Sequence, residues 1–217
     1  GATAPDIRVI TRLDRAVTHF YDLKDFDDQD SVARMFEAHP ALATPAGLDA
    51  ATTAFIAGYL THLVLDETFI VEVYRPSFGG LSPLKEDPKA NVLDRALQYE
   101  MDRRDREDEA AMAEVRAAIE ATVPVGGIPF IADEHLAQWM TVSADVAGQA
   151  ADYSRFRRMM MRHLEGAGYD AAALDAACED PHGLIREAFG VVSEERIERF
   201  WRDATDRMEA RVRSYLR

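Results

Sequence analysis

Cysteine is nearly absent from this 217-residue sequence, which contains only Cys178. A single thiol cannot form an internal disulfide, so the fold is not cross-linked and the chain carries no indication of an oxidising compartment. We interpret Cys178 as a small, half-buried residue. The sequence also lacks a Gly-x-Ser-x-Gly turn and a paired Cys/His setting, so nucleophilic catalysis by serine or cysteine finds no support. A phosphate-binding glycine loop is missing too, which disfavours a nucleotide cofactor.

Basic residues are fewer than acidic ones. The chain has 25 basic and 39 acidic residues, which gives a formal net charge of −14 at pH 7. Such a charge repels nucleic-acid phosphates and anionic lipid surfaces, so neither is expected as a bulk partner. A small phosphate ester remains compatible with this composition, because a bound cation can reverse the charge of a site locally.

Long apolar runs are also missing. The longest, from Ala54 to Leu65, is interrupted by Thr61 and His62 and is too short to cross a bilayer. No transmembrane segment or signal peptide is therefore predicted, and a cytoplasmic location is favoured without being decided. The chain begins at Gly1 rather than Met, so we expect residues upstream of it, and the sequence does not indicate an oligomeric state.

No stretch shows the period-two alternation of a strand, and turn-forming residues divide the chain into helical segments. With 47% hydrophobic residues, the sequence predicts a globular all-α protein. We expect one domain over 1–217, with the candidate site in the half of about 1–84 and a helical extension over about 89–217. A multi-helix bundle should surround a central buried helix at about 49–74, and a single long amphipathic helix should span 89–122.

The segment from Gly58 to Glu67 is the most informative part of the chain. It places His62 and Asp66 four residues apart, which is one turn apart on the same face of a helix. Their neighbours are apolar around nearly the whole helix, which predicts burial on most sides. A buried carboxylate is unfavourable unless its charge is compensated, and a metal ion does this well. A hydrogen-bonded His–Asp pair without metal is the plain alternative.

The best further ligands lie upstream. Asp6 follows Pro5, and His19 lies between Thr18 and Phe20. Two imidazoles and two carboxylates form a mixed nitrogen and oxygen set that suits zinc and also iron or manganese. The other histidines lie at helix ends, in a first turn or beside a turn, where structural or surface roles are expected: His39, His135, His163 and His182.

These motifs together resemble the bacterial zinc-dependent phospholipase C-like proteins, in particular their smaller members. The resemblance rests on Gly-x₃-His-x₃-Asp preceded by Pro-Asp and Thr-His-Phe, and it covers roughly residues 1–80. It implies an all-helical fold in which metal is bound by Asp6, His19, His62 and Asp66, with Asp6 also as a catalytic base.

The sequence departs from that family after Asp66. The histidines and the glutamate that follow the matching aspartate in the trinuclear enzymes are missing here, so the resemblance implies one metal site. Glu67 or Glu72 could contribute to a second metal or support the first. Both glutamates have an ordinary interpretation as partners of Arg75 or other basic side chains.

A divalent metal, zinc in the first place, would lower the pKa of a bound water and polarise a phosphoryl oxygen. The leading hypothesis is therefore a metal-dependent phosphoesterase acting on a small phosphoester, with phospholipid suggested only by the resemblance. Asp6 could accept the proton of the water, and Arg8 or Arg75 could contact the phosphate.

The alternative is a protein without catalysis. Four protein ligands would close a structural metal site that fastens the amino-terminal segment to the buried helix, and the long helices would bind partners. A metal-dependent phosphohydrolase of the HD type fits less well, because the sequence contains no His-Asp dipeptide.

Overall fold

The computed structural model describes residues 1–217 and confirms the all-α class, with 69% helix and no strand. The chain folds into two compact units, each assembled from segments that are distant in sequence. The first unit comprises Gly1–Ile70, Val115–Gly148 and Trp201–Arg217, and the second comprises Val71–Glu114 and Gln149–Phe200. The single domain over 1–217 stays a prediction.

The helices are numbered in chain order. They are α1 (Arg8–Thr11), α2 (Arg15–His19), α3 (Ser31–Ala38), α4 (Ala50–Phe69), α5 (Arg75–Ser77), α6 (Lys89–Asp105), α7 (Glu109–Glu120), α8 (Asp133–Ala147), α9 (Phe156–Gly166), α10 (Ala171–Glu179), α11 (Pro181–Val191) and α12 (Glu194–Tyr215). Two 3-10 turns, Ala4–Ile7 and Pro40–Leu42, and a π-helical turn, Ile70–Tyr74, complete the set.

The predicted helix over 49–74 is present as α4 and the π-helical turn that continues it. It begins at Ala50 because the side chain of Asp49 caps it, accepting a hydrogen bond from Thr52 N at 2.7 Å. In the first unit α4 packs against α3 and the Ala4–Ile7 turn. Its fully buried residues include Ile56, Tyr59 and Leu60.

The burial of α4 differs from the prediction. The helix is fully buried along one stripe only, and most of its other residues, His62 and Asp66 among them, are partly buried. The reason is that the hydrophobic sequence surrounds the helix, whereas protein covers only one side of it closely. The two candidate ligands therefore remain partly accessible.

One helical stretch, Ala50–Ser77, is long and apolar enough to cross a membrane by length and composition, with a mean hydropathy of 1.4 over its most apolar window. One such stretch is weak evidence for a span, because the core helix of a globular protein meets the same criterion. In the first unit this stretch carries the buried stripe of α4. The structure is compatible with the predicted lack of a transmembrane segment.

The second unit is organised around α6, which packs against α9 and α11. The predicted single helix over 89–122 is wrong, because α6 ends at Asp105 and α7 begins at Glu109. The side chain of Asp108 accepts a hydrogen bond from Ala111 N at 2.9 Å and so caps a new helix. The sequence does not reveal this break, because the pattern on both sides of it is helical.

Candidate metal centre

Three elements of the first unit bring three of the predicted ligands together. Asp6 lies in the Ala4–Ile7 turn, which packs against α2, α4 and α8. This turn is held by Ala4 and Ile7, whose side chains are fully buried. His19 is the last residue of α2, and His62 lies in the middle of α4.

The ligand atoms of Asp6, His19 and His62 all lie within 4.8 Å of one another. His19 Nε2 is 3.6 Å from Asp6 Oδ1, which is beyond hydrogen-bond distance. The two imidazole rings meet edge to face, with centroids 5.3 Å apart. A metal ion at about 2.0–2.2 Å from each donor holds its donors no more than about 4.4 Å apart, so small side-chain movements would bring these residues onto such an ion.

His19 has an unpaired nitrogen in a buried place. Its side chain is 1% exposed, and its Nδ1 lies 2.9 Å from the hydroxyl of Thr18. Its Nε2 is buried and makes no hydrogen bond. Buried polar atoms are rarely left without a partner, since each one loses its hydration. A buried nitrogen without a hydrogen bond, close to Asp6 and His62, is explained if it is kept for a metal ion.

The helix α2 ends in a strained conformation directly after His19. Phe20 has φ 53°, in the left-handed region that bulky residues rarely adopt. Its ring packs edge to face on Phe130 at 5.2 Å, which holds this conformation in the core. The backbone of Thr18 is fixed as well, because the hydroxyl of Tyr59 donates to its carbonyl. His19 is therefore held from both sides.

His62 is oriented by the chain in front of the Ala4–Ile7 turn. Its Nδ1 lies 2.9 Å from the carbonyl oxygen of Ala2. A carbonyl only accepts, so Nδ1 carries a proton, and Nε2 is the nitrogen of this ring that a metal ion would use. This approach requires Gly58, one turn earlier in α4, because a Cβ at that position would lie 2.9 Å from Ala2 N.

Burial and neighbouring charges shift the pKa values of two residues in the centre, His19 and Asp6. Burial lowers the pKa of His19 and outweighs the opposing effect of Asp6, so its imidazole tends to be neutral. Partial burial opposes ionisation of Asp6. The contact with His19 and the positive charges of His62, His19 and Arg15 nonetheless hold the pKa of the Asp6 carboxyl below its ordinary value. The role of Asp6 as a catalytic base stays a prediction.

Asp66, the fourth predicted ligand, lies outside this group of three. Its carboxylate forms an ion pair with the guanidinium of Arg15, which comes from the first turn of α2. The side chains of Asp66 and Arg15 are 26% and 21% exposed. The electrostatic influence of Asp66 still reaches His19, so the ion pair borders the centre.

The two glutamates have other partners. Glu67 accepts a hydrogen bond from Ser31 N at 2.8 Å and so holds the start of α3 in the first unit. Glu72 belongs to the second unit, where its main-chain oxygen accepts a hydrogen bond from Arg196 at 2.9 Å. Neither glutamate is a member of the group that could hold a metal ion.

The two residues predicted to contact the phosphate, Arg8 and Arg75, lie in different settings. Arg8 is exposed, and its Nε lies 3.5 Å from the carbonyl oxygen of Leu13. Arg75 belongs to the second unit, where its side chain is 6% exposed. The ion pair of Asp66 identifies Arg15 as a further basic residue beside the centre, one that the sequence motifs did not predict. Its spacing of four residues from His19 was the available signal.

The other histidines lie outside the group, consistent with the roles expected for them. His163 is in the last turn of α9, 3.0 Å from the side chain of Asn91, and His135 is in the first turn of α8. His39 follows α3 and packs on Phe130 with ring centroids 4.6 Å apart.

Comparison of the chain with protein-family models, with curated proteins and with solved structures finds no match. The chemistry of this centre is therefore inferred from its own residues.

Proposed function

We propose that the first unit binds one divalent metal, zinc in the first place, through Asp6, His19 and His62, and uses it to hydrolyse a phosphoester. In this proposal the chain is a metal-dependent phosphoesterase with a phospholipase C-like fold. The observation that carries the proposal is the buried Nε2 of His19, which has no hydrogen-bond partner and converges with the other two donors.

The number of ligands supports an open site. Catalytic zinc sites have three protein ligands and one exchangeable position, whereas structural sites are closed by four. Three donors converge here, and the carboxylate of Asp66 is engaged by Arg15 instead. The side chain of Asp6 is 54% exposed, which leaves the centre accessible to a small molecule.

The residues of the chain have separate tasks in this proposal. His19 and His62 supply Nε2 as the donor atom, and contacts of Nδ1 with Thr18 and Ala2 orient the two rings. Asp6 supplies a negative oxygen donor. When bound, a divalent ion supplies Lewis acidity, which activates water and polarises the phosphoryl group.

Metal content is the first test. The parent protein, purified without a nickel column or chelator, is compared with His19→Ala, His62→Ala and His163→Ala by inductively coupled plasma mass spectrometry. We expect near-stoichiometric metal in the parent and in His163→Ala, and loss in the other two. Equal metal in all four proteins would contradict the site. The measurement also identifies the metal, since two histidines and one carboxylate suit iron as well as zinc.

Asp66→Ala separates the two classes of function. Retention of metal indicates three protein ligands and an open site, as proposed. Loss of metal indicates that Asp66 is a fourth ligand, as the sequence predicted, and favours the closed structural site of the alternative. The metal-loaded parent is then assayed on bis(p-nitrophenyl) phosphate and on phospholipid vesicles. Stoichiometric metal without hydrolysis of either would favour the structural role.

A further inference from the structure

We propose that Arg15 is the anion-binding residue of this centre, taking a phosphoryl oxygen of the substrate, and that Asp66 competes with that oxygen for the guanidinium. The inference deepens the proposed function and rests on its metal site. It assigns the substrate contact to a residue other than Arg8 or Arg75.

The register of two helices places Arg15 beside the metal ligands. Arg15 and His19 lie four residues apart on α2, and His62 and Asp66 lie four apart on α4. The two histidines meet at a centroid distance of 5.3 Å, and the next turn brings Arg15 to Asp66. Residues four apart on a helix are neighbours, about 5–6 Å between Cβ atoms. Arg15 therefore lies one helical turn from His19, a ligand of the proposed metal.

Arg15 has guanidinium N–H donors beyond the one that contacts Asp66. Its Nη2 contacts Asp66, while its Nε is buried and makes no hydrogen bond. A guanidinium carries five N–H donors in a planar fork that fits a phosphate in bidentate fashion. The side chain is 21% exposed, so an incoming anion can reach it.

The charges of the centre also favour an anion. The carboxylates of Asp6 and Asp66 balance the charge of a divalent ion, and Arg15 adds one further positive charge. The centre is thus positive although the whole chain has a net charge of −14. An incoming phosphoryl group would have to displace Asp66 from Arg15, so that removing the charge of Asp66 should strengthen anion binding.

The test measures binding of inorganic phosphate to the metal-loaded protein by isothermal titration calorimetry, with metal content measured on the same samples. Arg15→Gln should keep its metal and bind phosphate about 10–100-fold more weakly, the loss of a charge-assisted bidentate contact. The phosphate affinity of Arg15→Lys should fall between those of the parent and Arg15→Gln. Asp66→Asn should keep its metal and bind phosphate more tightly than the parent. Arg8→Gln is the matched control and should resemble the parent.

Each other result overturns the inference in a distinct way. If the parent holds no metal, the metal site and this inference fail together. If Arg15→Gln keeps its metal and binds phosphate as the parent does, only the anion contact fails. If Arg15→Gln and Arg15→Lys both lose metal, or Asp66→Asn does, the ion pair serves the metal site and the inference fails. If Arg8→Gln alone weakens phosphate binding, the contact belongs to Arg8.

A second titration distinguishes the source of the phosphoryl group. Dimethyl phosphate represents a diester such as a lipid headgroup, and inorganic phosphate represents a free dianion. Whichever ligand binds more tightly to the parent should lose more affinity in Arg15→Gln, which supports the inference. Equal affinity of Arg15→Gln and the parent for both ligands contradicts it.

Discussion

His19 and His62 meet edge to face at an interplanar angle of 70°, and each uses its Nδ1 for a hydrogen bond to a fixed oxygen. The oxygen is the hydroxyl of Thr18 for one ring and the carbonyl of Ala2 for the other. Both rings therefore have Nε2 available. Contacts that orient a ligand ring in this way are a usual part of a metal site, because they fix the direction of the nitrogen that faces the metal.

Thr18→Val should weaken metal binding while leaving the fold in place. The valine keeps the shape of a fully buried side chain but removes the hydroxyl that holds His19 Nδ1. Loss of such an orienting contact lowers metal affinity by about 10–100-fold. The affinity is measured by competition with a chromogenic chelator, and Thr61→Val is the control because its hydroxyl bonds only within α4, to Gly58 O. Unchanged affinity in Thr18→Val would remove this support for His19 as a ligand.

Tyr59→Phe should destabilise the first unit. The Tyr59 hydroxyl is buried and donates to the carbonyl of Thr18. Removing it leaves that carbonyl without this donor, and such a loss amounts to about 1–3 kcal/mol in the free energy of unfolding. Urea denaturation followed by circular dichroism gives the value. A change below about 0.5 kcal/mol would mean that this hydrogen bond does not hold α2 to α4.

Gly58→Ala should reduce both stability and metal affinity. A Cβ at Gly58 would lie 2.9 Å from Ala2 N, a backbone atom that cannot move without displacing the carbonyl that holds His62. Gly190→Ala is the matched control: it is also within a helix, and its Cβ would have no atom within 4 Å. That substitution should stabilise the protein by about 0.5–1 kcal/mol. Chemical denaturation and metal titration of both variants check the contrast.

Glu100→Gln should lower stability at neutral pH and flatten its dependence on acid pH. Burial alone would raise the pKa of Glu100, but hydrogen bonds from Arg103, Arg104 and Tyr153 outweigh it and lower the pKa to about 2. The unfolded chain takes up the proton near the ordinary value of 4.5. The stabilisation that the ionised Glu100 contributes is therefore complete above its unfolded-state pKa of 4.5, and it is lost as the pH falls towards 2.

We expect Glu100→Gln to lose about 2 kcal/mol at pH 7 and to approach the parent near pH 2. Glu114→Gln, an exposed glutamate on α7, should stay within about 0.5 kcal/mol of the parent throughout. Denaturation midpoints at a series of pH values give both curves. Parallel curves for Glu100→Gln and the parent would show that the arginine contacts are too weak to shift this carboxyl.

Local patterns predicted what depends on neighbours in sequence. The helical class follows from the lack of strand periodicity, and the central helix at about 49–74 follows from its apolar sequence. The break between α6 and α7 was missed, since Asp108 lies within a run of charged residues that also suits a continuous helix. Capping by Asp108 is visible only when the backbone is known.

The candidate site was predicted in part. Asp6, His19 and His62 were expected to lie together, and they do. The buried histidine is His19 rather than His62, however, because burial depends on what covers a helix and not only on its own residues. Arg15 was missed because its partner, Asp66, is remote in sequence.

The sequence by itself determined the helical class, the position of the long central helix and the types of side chain available to bind a metal, because periodicity, capping and chemistry are local properties. Only the tertiary structure decided that Asp66 pairs with Arg15, that Gly58 admits the chain in front of Asp6, and that His19 keeps a buried nitrogen unpaired. These are contacts between segments that are remote in sequence. The packing of the helices decides them, and no local sequence pattern encodes that packing.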